Sequence, residues 1–156
     1  MTPYELVDLL VRRRETLAVA ESLTGGLLAA TIVDVPGASR AFRGGLIVYA
    51  TDLKVALAGV PAQLVEERGP VDGEVAAALA RGARERCRAD WGLATTGVAG
   101  PDPQGDVAVG VVFVAVAGAD GTQVRTVELT GGRAAVRAGA VTAALDLLAG
   151  RLSPPM

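Results

Sequence analysis

The chain opens with apolar residues spaced so that they share one side of a helix. Leu6, Leu9 and Leu10 recur between residues 3 and 14, a spacing typical of an amphipathic helix. Thr2 is a good N-cap, and Pro3 suits the first helical position. The pattern predicts a helix over residues 3–14.

A short apolar run follows and stops at polar and glycine residues. Residues 16–20 are rich in Val, Ala and Leu, as is typical of a buried strand. The run breaks at Glu21-Ser22-Leu23-Thr24-Gly25-Gly26, and an apolar helix is predicted from Leu27 to about Val33. This segment therefore predicts a strand-to-helix turn.

Further strands and helices alternate to the end of the chain. Asp120-Gly121 is a hairpin signal that predicts antiparallel pairing of the two strands around it. The predicted elements are a strand at 45–50, a short helix containing Lys54 and capped by Thr51 or Asp52, a helical piece at 61–67, a helix at 73–87, strands at 92–96, 107–117 and 123–129, a helix at 133–152, and a frayed tail at 153–156.

This order of elements predicts an α/β fold. Strands followed by helices favour a three-layer α/β/α arrangement around a mixed, mostly parallel central sheet of about five strands. A chain of 156 residues fits a single domain over residues 1–156. Ligands in open sheets bind beyond the carboxyl ends of the strands, which is where Ser22, Tyr49 and Thr96 are expected.

Composition excludes several classes of function. The longest uncharged apolar run, residues 107–119, is shorter than the roughly 18 residues that a membrane-spanning helix needs, so no membrane association is expected. No signal peptide is recognisable, which predicts a cytoplasmic protein. A net charge of −2 argues against nonspecific nucleic-acid binding. The arginines at 12–14, 81, 84 and 88 are interpreted as solvated surface.

The chain contains no histidine, one cysteine and one lysine. Zinc sites built from His and Cys are therefore not expected, and neither are Ser-His-Asp or Cys-His arrangements, which need an imidazole. Arginine stays protonated and cannot act as a base. If a nitrogen base transfers protons in this protein, that base is Lys54.

Ser22 and Lys54 form a candidate nucleophile and base. Ser22 follows a strand, a position that would expose its hydroxyl and aim helix N-terminal amides at the group it attacks. Burial would lower the pKa of Lys54 until its neutral amine could deprotonate the serine, with the Tyr49 phenol as a possible relay. The simpler alternatives are that Ser22 or Thr24 caps the helix and that Lys54 lies on the surface.

A second glycine-rich turn follows the strand at 92–96. Thr96 offers a hydroxyl, and Gly97, Ala99 and Gly100 offer unobstructed amides suited to an oxyanion, a carboxamide or a phosphate. Neither a GxGxxG nor a P-loop motif is present. Arg133 and Arg137 share a helix face and could grip a phosphate or simply face solvent.

Taken together, the motifs resemble the CinA C-terminal domain family, also called nicotinamide-nucleotide amidase, over nearly the whole chain. Residues 20–26 match its AES-x-TGG signature, Tyr49 and Lys54 match its tyrosine and lysine, and residues 96–101 match its [ST]G-x-AGP turn. Gly131-Gly132-Arg133 and Arg137 match its later arginine segment. Thr51, Asp72 and Gly132 depart from the family's usual asparagine, serine and aspartate. Larger members carry an additional N-terminal domain, and this chain is expected to stand alone as an enzyme or a subunit.

The resemblance implies hydrolysis of nicotinamide mononucleotide to nicotinate mononucleotide and ammonia, without metal or organic cofactor. By matching position, Ser22 is the nucleophile, Lys54 its base, Tyr49 and Thr96 supporting hydroxyls, and Arg133 a ligand of the substrate phosphate. The remaining matched residues are expected to contact the substrate, namely Glu21, Thr24, Gly25, Gly26, Gly97, Ala99, Gly100 and Arg137.

Two other functions explain the same residues. A nucleotide-binding or regulatory module would keep the pocket without chemistry, and in it the Lys54 amine would lie more than roughly 4 Å from the Ser22 hydroxyl. A nonspecific amidase or esterase would use the same pair but would not need Arg133 for small neutral substrates. A homodimer or higher homo-oligomer is also expected.

Overall fold

The computed structural model describes residues 1–153, which form six α-helices, five strands and one 3₁₀ turn. The elements in chain order are α1 (Pro3–Arg13), β1 (Leu17–Glu21), α2 (Leu27–Val33), the 3₁₀ turn (Ala38–Arg40), β2 (Phe42–Ile47), α3 (Thr51–Ala56), α4 (Ala62–Arg68), α5 (Gly73–Arg86), β3 (Trp91–Gly97), β4 (Val111–Gly118), β5 (Gly121–Glu128) and α6 (Arg133–Leu152).

The strands form one mixed sheet in the order β2-β1-β3-β4-β5. β1 pairs in parallel with both β2 and β3, whereas β4 pairs antiparallel with β3 and β5. Four of the five strands therefore point the same way, and β4 alone is reversed. The predicted three-layer fold is confirmed, because helices cover both faces of this sheet.

The two faces of the sheet differ in side-chain size. One face presents mainly Val and Leu to α1, α2 and α6, and the other presents mainly Ala to α5. The alanine face lets α5 approach closely: a Cβ on Gly92 in β3 would lie 1.9 Å from the carbonyl oxygen of Ala80 in α5. This close packing fixes β3, whose carboxyl end contributes to the site described below.

Local boundaries differ from the prediction around β2 and α3. β2 runs over Phe42–Ile47 rather than 45–50, so Tyr49 lies two residues beyond the strand. The prediction that Thr51 or Asp52 caps α3 is wrong, because the helix begins at Thr51 and its N-cap is Ala50, which makes no side-chain cap. Position 45 inside β2 requires glycine, because a Cβ there would lie 2.4 Å from Cγ2 of Val19 in β1.

The last strands and helix follow the prediction more closely. β4 begins at Val111 rather than at 107, because residues 104–107 turn back on themselves through an isolated bridge between Gln104 and Val107. β4 and β5 form the predicted antiparallel hairpin, and α6 has the predicted bounds. Residues 154–156 of the predicted tail lie outside the described residues, and the Ser153 hydroxyl donates to the Ala149 carbonyl oxygen at 2.9 Å.

Candidate active site

Ser22 stands at the carboxyl end of β1, at the start of a tight turn into α2. Its backbone N–H donates to the Thr95 carbonyl oxygen of β3 at 3.0 Å. Gly25 and Gly26 both have positive φ, at 57° and 107°, which favours glycine. Gly26 is the N-cap of α2 and makes no side-chain cap bond, so neither Ser22 nor Thr24 caps the helix.

Lys54 lies in α3 and is only 1% exposed, which excludes a surface lysine. Its Nζ lies 2.9 Å from the Ser22 Oγ, 2.8 Å from the Val48 carbonyl oxygen and 3.2 Å from the Tyr49 carbonyl oxygen. Burial lowers the pKa of Lys54 to about 8, because removal from water disfavours the charged form. The amine is thus brought into the range where it exchanges protons near neutral pH.

The three acceptors around Lys54 define what each protonation state can do. A charged ammonium has three N–H groups and can donate to all three oxygens. A neutral amine keeps two N–H groups, which the carbonyl oxygens of Val48 and Tyr49 can hold, and its lone pair is then left for the Ser22 hydroxyl. Two backbone carbonyls therefore orient the nitrogen toward the serine proton.

A cavity of about 360 Å³ opens over this pair, a size typical of small-molecule sites. The structure brings together Ser22, Tyr49, Lys54 and Thr96 with most of the second glycine turn and Arg133. The lining residues are Ser22, Leu23, Tyr49, Ala50, Thr51, Lys54, Pro70, Val71, Thr96, Gly97, Val98, Ala99, Gly100, Asp102, Pro103, Gln104 and Arg133.

The Tyr49 and Thr96 hydroxyls have partners outside the Ser22–Lys54 pair. The Tyr49 hydroxyl accepts from the Arg133 guanidinium at 3.2 Å, and the Thr96 hydroxyl donates to the Pro70 carbonyl oxygen at 2.7 Å. Within residues 1–153, neither hydroxyl is hydrogen-bonded to Ser22 or Lys54. Tyr49 thus reaches Lys54 through its carbonyl oxygen rather than through a relaying phenol.

Several residues that we expected to contact substrate lie outside the cavity wall. The Glu21 carboxylate is fully buried and accepts from the amides of Leu28 and Ala29. These N-terminal amides of α2 are therefore occupied and do not face the nucleophile's target. Thr24 is also buried, and its hydroxyl is 2.8 Å from that of Thr95.

The two matched arginines have different surroundings. Arg133, at the start of α6, is exposed, lines the cavity and donates to the Gly100 carbonyl oxygen. Arg137, one turn later, donates to the carbonyl oxygens of Leu23 and Thr24 at 3.0 and 2.9 Å. The structure thus places Arg133 at the cavity and Arg137 against the Ser22 turn, with Gly25 beside it.

Backbone amides without a hydrogen-bond partner among the described residues lie beside Ser22 and in the second glycine turn, both parts of the cavity wall. They belong to Leu23, Ala99 and Gly100, and within the part of the chain that the structure describes no acceptor is hydrogen-bonded to them. Leu23 directly follows the candidate nucleophile, and the others belong to the second glycine turn. Free amides beside a nucleophile can stabilise an oxyanion.

Among residues 1–153, no group of three or more His, Cys, Asp or Glu side chains is close enough together to hold a metal ion. In the same residues, no helix combines the length and the apolar character needed to cross a bilayer.

Comparison with known proteins decides the family. The family model described as "CinA C-terminal domain" matches residues 2–152. The chain belongs to the CinA C-terminal domain family. A CinA-like protein from Frankia casuarinae is 54% identical over 143 residues, covering 92% of this chain and 33% of the relative. One from Parasynechococcus marenigrum is 47% identical over 151 residues, covering 94% of this chain and 36% of the relative.

Solved structures of the CinA superfamily share the fold. The competence-damaged protein (CinA) superfamily protein from Enterobacter cloacae superposes with a TM-score of 0.92 at 27% identity, covering 98% of this chain and 94% of that one. A competence or damage-inducible protein from Enterobacter asburiae also gives 0.92, at 29% identity, covering 98% and 99%. By contrast, this CinA-family chain spans about a third of the length of the curated relatives it matches.

Sequence reasoning missed part of the cavity wall. The loop before α5 contributes Pro70 and Val71, and the loop after the second glycine turn contributes Asp102 and Gln104. Nothing in the spacing of Pro70 and Val71 signals this position, which depends on the fold. Asp102 and Gln104 could have been suggested by their place beside a matched motif.

Proposed function

We propose that this protein is an amidohydrolase that converts nicotinamide mononucleotide to nicotinate mononucleotide and ammonia through a Ser22–Lys54 pair. The observation that carries the proposal is the buried Lys54 amine, 2.9 Å from the Ser22 Oγ. A module that only binds nucleotides has no use for a buried amine at this distance. Chemistry is therefore the better explanation of the pair.

In the first half of the reaction, Lys54 acts as a general base. Its neutral amine takes the Ser22 proton, and the Ser22 Oγ attacks the carboxamide carbon. The negative charge that develops on the carboxamide oxygen is assigned to the free amides of Leu23, Ala99 and Gly100. The Lys54 ammonium then returns the proton to the leaving nitrogen, which departs as ammonia and leaves an ester on Ser22.

In the second half, water replaces the serine. The neutral Lys54 amine takes a proton from water, and the resulting hydroxide attacks the ester carbon. The carbon–Oγ bond breaks, Ser22 regains a proton from Lys54, and the product leaves as a carboxylic acid that loses its proton to the solvent or to ammonia. One amide and one water are thus converted to one carboxylate and one ammonium ion, with no change of redox state and no cofactor.

Arg133 supports an anionic substrate. It is the one arginine among the cavity-lining residues, and its guanidinium is held at the rim by the Tyr49 hydroxyl and the Gly100 carbonyl oxygen. A guanidinium with free N–H groups suits a phosphate. The pyridine nucleotide itself is taken from the family resemblance.

The other site residues are assigned by their contacts. Tyr49 is proposed to hold Arg133 and Lys54, and Thr96 to hold the loop at Pro70. Gly97, with Ala99 and Gly100, contributes to the cavity wall. A single catalytic domain, a cytoplasmic location and a homo-oligomeric state remain predictions.

Ammonia release from nicotinamide mononucleotide tests the proposal directly. Purified protein is assayed with EDTA present, alongside Ser22→Ala, Lys54→Ala and Ser39→Ala. Ser39 is an exposed serine in the 3₁₀ turn and serves as the matched control. We expect Ser22→Ala and Lys54→Ala each to lower kcat by about 10³-fold or more, because both act as one unit, while Ser39→Ala keeps full activity.

Two results would contradict this function. Full activity of either site variant would remove the Ser–Lys mechanism. Absence of ammonia release by the wild type, with binding of the nucleotide measured by calorimetry, would favour the nucleotide-binding module instead.

A further inference from the structure

Two charged side chains hold the turn that carries Ser22 without lining the cavity. Glu21 precedes the nucleophile in β1. Arg137 reaches the turn from α6, 114 residues after Leu23 in the chain. Neither belongs to the cavity wall. The proposed catalysis at Ser22 uses neither side chain directly. Arg137 bonds to the turn itself, and the Glu21 carboxylate ties the residue before the turn to the first residues of α2 after it.

Glu21 connects the nucleophile to α2 and to the Lys54 support. Its carboxylate accepts from the amides of Leu28 at 2.8 Å and Ala29 at 3.0 Å. Its carbonyl oxygen accepts from the Val48 N–H at 2.8 Å, and the Val48 carbonyl oxygen accepts from Lys54 at 2.8 Å. The main chain of Glu21 is thus bonded directly to Ser22 and connected to Lys54 through Val48.

Arg137 holds the other side of the same turn. Its Nε and one terminal nitrogen donate to the carbonyl oxygens of Leu23 and Thr24. The Ser22 carbonyl oxygen accepts from the Gly25 N–H at 3.1 Å. Arg137 and Gly25 thus bind the carbonyl oxygens of the turn, and the Leu23 N–H next to the nucleophile has no acceptor within residues 1–153.

We propose that Glu21 and Arg137 are positioning residues that clamp the 22–26 turn, placing the Ser22 hydroxyl against Lys54 and the Leu23 amide in the cavity wall. This inference rests on the proposed Ser22–Lys54 function. It gives both residues a role in kcat rather than in substrate binding.

The chemistry of the two contacts explains why close substitutes fail. Glutamine has one acceptor oxygen and one donor amide, so Glu21→Gln leaves one α2 amide unpaired and sets a donor against a donor. Lysine at position 137 could donate to the two carbonyl oxygens only from its one nitrogen, whereas arginine donates from two nitrogens held in a rigid plane. Displacements near 1 Å at a nucleophile can cost about 10²-fold in rate.

The test compares Glu21→Gln, Arg137→Ala and Arg137→Lys with Ile32→Val. Ile32 is a buried residue of α2, so its variant loosens the helix without touching the clamp. We measure kcat and KM for nicotinamide mononucleotide well below each melting temperature. A fluorophosphonate probe reports Ser22 reactivity by mass spectrometry without any amide substrate.

We expect Glu21→Gln and Arg137→Ala to lower kcat and the labelling rate by about 10- to 100-fold, with KM within about threefold of the wild type. The kcat and the labelling rate of Arg137→Lys should lie between those of Arg137→Ala and the wild type. Ile32→Val should keep the wild-type kcat. Arg137→Ala keeps the inference falsifiable if Glu21→Gln does not fold.

Four outcomes overturn the inference. A wild-type kcat in Glu21→Gln or Arg137→Ala would contradict the positioning role. So would a loss of kcat that Ile32→Val shows to the same extent at the same melting temperature. A rise in KM without a change in kcat would indicate that Glu21 and Arg137 contribute to substrate binding instead. If the wild type labels at Ser22 but releases no ammonia, the proposed substrate fails while the labelling rates still test the clamp; if it does not label, both fail.

Discussion

At the scale of the residue, the central observation is one amine in an unusual environment. The chain contains a single lysine among 15 basic side chains, and that lysine is buried beside Ser22. Burial lowers its pKa to about 8. At pH 7 the ammonium therefore still predominates, and the neutral base is the minor form.

This pKa sets the direction of the pH profile. If the neutral Lys54 amine is the base, kcat/KM should rise about tenfold per unit below pH 8 and level off above it, because deprotonation creates the active form. Lys54→Arg should be inactive throughout, since guanidinium stays protonated. Steady-state assays from pH 6 to 9.5 test this, and a flat profile would contradict Lys54 as the base.

At the scale of the element, the N-terminus of α5 positions part of the cavity wall. Asp72 is the N-cap, and its carboxylate accepts from the amides of Glu74 and Val75. The preceding residues, Pro70 and Val71, line the cavity. The resemblance implies a serine at position 72, and serine is an equivalent cap, so this departure preserves the local structure.

Removing that cap should cost stability. We expect Asp72→Ala to lower the free energy of unfolding by about 1 kcal/mol, because two α5 amides lose their acceptor. Asp72→Ser should retain most of the wild-type stability. Urea denaturation of both variants gives the comparison, and equal stability of Asp72→Ala and the wild type would show that the cap contributes nothing.

At the scale of the whole molecule, the cavity combines segments that are distant in the chain. Ser22 comes from the end of β1, Lys54 from α3, the glycine turn from the end of β3, and Arg133 from the start of α6. The parallel pairing of β1 with β2 and β3 brings their carboxyl ends to one edge. The position of Arg133, the proposed phosphate ligand, thus depends on how α6 packs on the sheet.

Arg133→Ala separates a nucleotide amidase from a nonspecific one. We expect kcat/KM for nicotinamide mononucleotide to fall by about 10- to 100-fold, the effect of one lost charge-assisted contact. Hydrolysis of nicotinamide, which lacks the phosphate, should change little. Parallel ammonia assays with both amides make the measurement. Equal losses would mean that Arg133 acts by holding Tyr49 and Gly100 rather than by binding phosphate.

The sequence by itself determined the fold class, most elements and the candidate pair of Ser22 and Lys54. Hydrophobic periodicity and glycine-rich breaks are local signals, so α6, the β4–β5 hairpin and the strand-to-helix turn were predictable. Composition left Lys54 as the one nitrogen base. The resemblance supplied Arg133, which the structure places in the cavity wall.

Tertiary structure decided which matched residues face the cavity and which support it. Glu21, Thr24 and Arg137 lie in or beside the same motifs as Ser22 and Arg133, yet their contacts are with backbone and buried hydroxyl groups. Pro70 and Val71 line the cavity although no sequence motif near them indicates it. The physical reason is that side-chain direction and contacts across the sheet depend on packing between distant segments, which neighbouring residues in the chain do not encode.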